Sequence, residues 1–217
     1  MLLRRIFLLA PLAGLCSCEW AAEKLFVSSM EALGKEKRDI LARRVSESRE
    51  DQEKAKEQFK TTLEAFQELT GFDGGDLEKT YKRLDKEYQR SESRANRVRE
   101  RIDGIERVAR SMFREWDQEI SEISSNDLRA KSRRLLEDTQ SRYDELIAKM
   151  KSAEGKMEPV LAAFRDQTLF LKHNLNAQAI QSLSDVAVEI DDDVAALIAD
   201  IEASIAEADE FVESLES

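Results

Sequence analysis

Beyond Trp20 the apolar residues recur in alternating steps of four and three. The first stripe runs Leu41, Val45, Ala55, Phe59, Phe66 and Leu69, with Ser48, Gln52 and Thr62 as its polar members. The second starts at Leu77 and passes through Tyr81, Leu84, Tyr88, Ser91, Ala95, Val98, Ile105 and Met112 to Trp116. The third carries Leu136, Tyr143, Leu146, Met150, Met157, Val160, Phe164 and Leu171, and the fourth Ile180, Leu183, Ile190, Val194, Leu197, Ile201, Ala208 and Phe211. A seven-residue repeat held over this length is the mark of left-handed supercoiled helices packed along one seam each.

Turn chemistry falls between the stripes. Gly71-Phe72-Asp73-Gly74-Gly75-Asp76 supplies a glycine C-cap and then an aspartate N-cap. Ser124-Ser125-Asn126-Asp127 is a second cap cluster, and Asn174 with Asn176 a third. Pro159 lies inside the third stripe without breaking its phase, which implies a kink and not a reversal. The pattern predicts helices over about 20–70, 76–123, 127–173 and 177–215. The fold class is all-α: an elongated antiparallel four-helix bundle or coiled coil, up-down-up-down, forming one domain over 18–217. Folding about the turns sets Phe59 opposite Tyr88 and Tyr88 opposite Phe164, one aromatic layer. The first and third turns then share one end of the rod, roughly 70 Å from residue 18.

Composition agrees with this and narrows the chemistry. Charged residues make up 36% and aromatics 6%, the balance of long exposed helices. The net charge of −11 excludes a nucleic-acid partner, which requires a basic stripe. Residues 176–217 hold twelve acids and no lysine or arginine. The expectation is that this acidic helix lies beside basic faces such as Arg90, Arg94, Arg97 and Arg101.

Residues 1–17 have the layout of an export signal: a basic start over Met1–Arg5, then ten apolar residues, Ile6–Leu15. Ten is too few for the roughly 20 that span a bilayer. The following Leu15-Cys16-Ser17-Cys18 resembles the bacterial lipobox, with Cys18 as the lipidated residue and Leu15 at −3. Glu19 after the cysteine favours the outer over the inner membrane. The expected location is the periplasmic side of the envelope, with the membrane as a partner through the lipid anchor.

Three further stretches resemble an uncharacterised family of bacterial envelope proteins catalogued as domain of unknown function 2959. They are Gly34–Leu41 with Arg44 and Val45, Phe72–Glu78, and Met157–Gln167 running on to Leu171–Ala177. The resemblance implies an envelope compartment and an all-helical fold, and it assigns no catalytic residue. Two of the stretches reach the end far from residue 18. Phe72, Asp73, Lys172, His173 and Asn174 are therefore the candidate partner-binding tip, against the alternative that they merely build turns and caps.

Little else in the chain carries chemistry. His173 is the only histidine, which excludes a multi-histidine zinc site and leaves Ser-His-Asp catalysis one unsupported base. Paired Glu-x-x-His motifs and phosphate-binding glycine loops do not occur, and Asp191–Asp193 lacks the glycine of a calcium loop. No cofactor, metal or enzymatic activity is expected. The leading expectation is a structural or interaction rod with an envelope protein as partner. The alternative is a lipid or small-ligand carrier, prompted by small and polar stripe members (Ser48, Gln52, Ser91, Ala95) that fall near one another. Self-association stays open, because the third helix alone carries a second apolar row: Ile147, Leu161, Thr168 and Leu175.

Overall fold

The computed structural model describes the backbone of residues 16–216 and the side chains of residues 36–215 apart from residue 185. Among the described residues five helices follow one another: α1 (Cys16–Thr70), α2 (Leu77–Glu122), α3 (Asn126–His173), α4 (Ala177–Gln181) and α5 (Ser184–Glu216). The expected fourth helix is thus two pieces. Asn176 caps α4 by accepting from Ala179 N at 3.0 Å, and Leu183 N reaches back to Ile180 O at 3.0 Å, closing the turn from which α5 departs. Pro159 lies inside α3, which runs through it without reversal.

Each break has a local cause. Gly74 and Gly75 carry positive φ of 151° and 110°, conformations that side chains beyond glycine resist. Gly71 directly follows α1 and donates to Gln67 O at 2.9 Å, so it closes the last turn of the helix as the sequence expected. Asp76 accepts from Lys79 N at 3.0 Å and starts α2, and Ser125 accepts from Leu128 N at 3.4 Å and starts α3. Arg129 reaches back with two nitrogens to Ile123 O, closing the end of α2.

The four long helices form an antiparallel bundle in which α1 packs on α2 and α5, and α3 packs on the same two. The core is a continuous column that includes Leu41, Phe59, Phe66, Leu84, Ile105, Met150, Phe164, Val194 and Phe211, all fully or nearly buried. Burying each such side chain contributes roughly 1.5–3 kcal/mol, which is what holds helices that are polar on their other faces.

Two expectations about register and neighbours need correction. Thr62 pairs with Ser91 at 2.8 Å and Asp51 with Arg101 at 2.8 Å, so α2 sits about a turn further along α1 than a tight hairpin would set it. The six residues between α1 and α2 take up that offset. Phe164 therefore meets the ring of Phe66 edge-on, with centroids 6.0 Å apart, one heptad from the layer expected with Phe59. The acidic α5 faces α1 and α3, and Arg90, Arg94, Arg97 and Arg101 belong to the diagonal helix. Its acids meet Arg49 (Asp209, 2.7 Å), Lys56 (Glu202, 3.5 Å) and Lys156 (Asp200, 3.0 Å).

The second apolar row of α3 is not an outer face. Leu161 and Thr168 are buried and Ile147 and Leu175 pack against the core, because this row turns toward α2 as the helices supercoil.

Candidate functional site

Phe72 and Asp73 leave the end of α1, while Lys172, His173 and Asn174 end α3. The short α4 touches α1, and Gln67 donates to Asp191 at 2.9 Å. The first and third turns therefore lie at one end of the bundle, as the heptad geometry requires. Phe72 is half-buried against the core, whereas Asp73, Lys172, His173 and Asn174 are exposed. Among the described residues, no hydrogen bond or ion pair joins Phe72 or Asp73 to the α3 end. Shared location is what these five residues have in common.

Their local roles are plain. Asn174 donates its backbone N–H to Leu171 O at 3.2 Å and its side-chain amide to Phe170 O at 3.0 Å, so it closes α3. Lys172 and His173 sit in the last turn, where positive charge is favourable beside unpaired carbonyls. Sequence reasoning passed over the apolar side chains next to them: Leu169 is 52% and Phe170 41% exposed. The tip thus presents exposed apolar groups beside a cation as well as its caps. The signal was present in Leu169-Phe170-Leu171, three consecutive apolar residues of which only Leu171 lies on the stripe and is buried.

Cys18 lies near the start of α1, at the other end of that helix from this tip. The export signal expected over 1–17 falls on residues outside the described side chains, and so does the thiol of Cys18. No helix among the described residues is long and apolar enough to cross a membrane.

The middle of the bundle is polar but closed. Gln52 and Ser204, both fully buried, exchange two hydrogen bonds at 3.0 and 3.1 Å. Thr62 gives the Ser91 pair a further contact with Glu87 O at 3.0 Å. Gln58 donates to the Glu87 carboxylate at 2.9 Å, and Arg90 adds a bond at 2.8 Å. Burial pushes the pKa of Glu87 up, but the bonds from Gln58 and Arg90 outweigh it and hold the carboxyl below its usual range. Of the side chains expected to leave a ligand gap, Gln52 and Ser91 thus find partners in Ser204 and Thr62, whereas Ser48 Oγ is buried without one. Outside them, a shallow open groove of about 280 Å³ lies between α1 and α2, lined by Glu53, Lys54, Glu57, Gln58, Thr61 and Arg94. Its charged rim and openness suit water better than a lipid chain.

Among the described residues no cluster of three or more histidine, cysteine, aspartate or glutamate side chains is placed to hold a metal ion. No curated protein and no solved structure matches this chain. A family model described as a protein of unknown function, DUF2959, matches residues 26–215, which takes in nearly the whole bundle and both turns at the tip. The chain belongs to the DUF2959 family.

Proposed function

We propose that this protein is a membrane-anchored envelope lipoprotein that works as a structural or protein-interaction rod. The observation that carries this is the closure of the mid-bundle: Gln52–Ser204 and Thr62–Ser91 use their polar groups on each other, leaving binding to outer faces and ends. The Leu15-Cys16-Ser17-Cys18 stretch supplies the anchor in this reading, on the periplasmic side of the envelope and at the outer membrane. Helix α1 alone extends about 80 Å at 1.5 Å per residue. That length would carry the Phe72 and Lys172 end well clear of a bilayer. The partner is then another envelope protein, met at the tip by Phe72, Leu169 and Phe170 with Lys172 and His173 at the rim. Asp73 and Asn174 shape the turns beneath. Catalysis has no part in this reading.

Two measurements test it. Cys18→Ser should move the protein from the membrane to the soluble fraction; persistence with membranes would remove the anchor from the proposal. Alanine at Phe72, Lys172 and His173 together should abolish in-cell cross-linking to an envelope protein with helicity by circular dichroism unchanged. Native mass spectrometry separates the carrier alternative, since a carrier would retain bound lipid and a rod would not.

A further inference from the structure

Along the α1–α2 seam most basic side chains have an acid: Lys37 meets Glu115, Arg83 meets Glu68, and Arg101 meets Glu47 and Asp51. One place on that seam is built differently. Gly104, buried inside α2, has the Nη1 of Arg44 3.1 Å from the point where a Cβ would stand, and the Nη2 of Arg107 3.8 Å from it. Two guanidinium groups thus converge on one glycine. Neither Arg44 nor Arg107 has a hydrogen bond or ion pair among the described residues. The Nε of Arg44 is also shut off from solvent with no acceptor, and so is Ser48 Oγ one turn further along α1. Leaving a buried donor unmet is costly, the more so on a charged group, and such an atom calls for a bound ion or water. A like-charged pair adds repulsion that an anion between them would reverse.

We propose that Arg44 and Arg107, seated over Gly104, form a binding site for a tetrahedral oxyanion, either free phosphate or the phosphate of a lipid headgroup. Guanidinium nitrogens suit such a group because their planar forks donate paired hydrogen bonds to its oxygens. Gly104 is the sequence trace of the site. Glycine inside a helix costs about 1 kcal/mol relative to alanine, and here any side chain would press on the Arg44 head.

The test uses the purified chain carrying Cys18→Ser, so that acyl groups do not intervene. Inorganic phosphate, added at an ionic strength held constant with chloride, should raise the unfolding midpoint saturably. Arg44→Gln and Arg107→Gln should each weaken the apparent phosphate affinity about tenfold or more. Without phosphate, Arg107→Gln should unfold at the same temperature or a higher one, since an unmatched charge has been removed. Gly104→Ala should blunt the response, and Gly155→Ala, at a helical glycine with open space around it, should not. If phosphatidylglycerol vesicles instead retain the chain in co-sedimentation, and Arg107→Gln releases it, the site holds a headgroup. Absence of any response to phosphate or vesicles overturns the proposal, and so does a response the arginine variants share.

Discussion

The Gln52 amide and the Ser204 hydroxyl lie at heptad positions that could have been leucine, and both are fully buried. Each makes sense only with the other. Ser204→Ala leaves a buried amide without its partner and should destabilise by about 1–3 kcal/mol, read from urea unfolding. Gln52→Leu combined with Ser204→Ala should recover most of that loss, since replacing both partners removes the unmet group. A double variant as unstable as Ser204→Ala alone would mean that the pair does not act as a unit. Tyr143, which packs edge-on against Phe113 at 5.4 Å, offers a second test. Burial, with the nearby Glu106 adding to it, pushes its phenol from 10.0 up to about 12. The folded chain then holds this proton more tightly than the unfolded chain. The associated stability is fully present below pH 10 and declines as pH rises toward 12. Ultraviolet titration of the folded protein should show one tyrosine ionising only near pH 12, and Tyr143→Phe should remove that step.

At the scale of elements, the ends of the helices decide how far sequence carries. The α1–α2 turn depends on Gly74 and Gly75 in the left-handed region, so Gly75→Ala should cost about 1 kcal/mol or more. Asp76→Ala should cost a similar amount through the lost cap on Lys79 N. Gly155→Ala should go the other way, stabilising α3 by roughly 0.5–1 kcal/mol. Thermal unfolding of the three variants checks the signs. These elements were legible because caps and heptads are local: Asp76, Ser125 and Asn176 sit at helix starts in sequence and structure alike. The offset between α1 and α2 was not legible, because six residues joining two helices allow more than one register and only the packing of Thr62 on Ser91 selects among them. The split of the last helix was missed as well, since Ile180 and Leu183 keep the heptad phase across the turn at Ser182. At the candidate tip, sequence located the turns but could not tell that Phe170 stays 41% exposed. The convergence of Arg44 and Arg107 was invisible for a related reason, because it joins two helices at a point no periodicity marks.

For the whole molecule, the order of helices around the bundle determines where its charge is balanced. An up-down-up-down chain sets its second and fourth long helices on a diagonal, so the arginines of α2 are turned away from the acids of α5. The balance comes from Arg49 and Lys56 on α1 and Lys156 on α3. Each of these pairs is partly solvent-exposed and contributes little alone. Together they leave the outer face of α5 without a single cation, since none occurs after residue 175. A partner drawn to charge would therefore find charge of one sign only there, with basic groups set back at its edges. The arrangement itself can be checked directly. In a background without native cysteines, Lys56→Cys with Glu202→Cys should be joined by a short bis-maleimide, because these side chains meet across the α1–α5 seam. Arg97→Cys with Glu202→Cys should stay unlinked, because α2 lies across the diagonal. The reverse result on a denaturing gel would mean that α5 docks on α2, and the balance of charge would have to be redrawn from Arg97 outward.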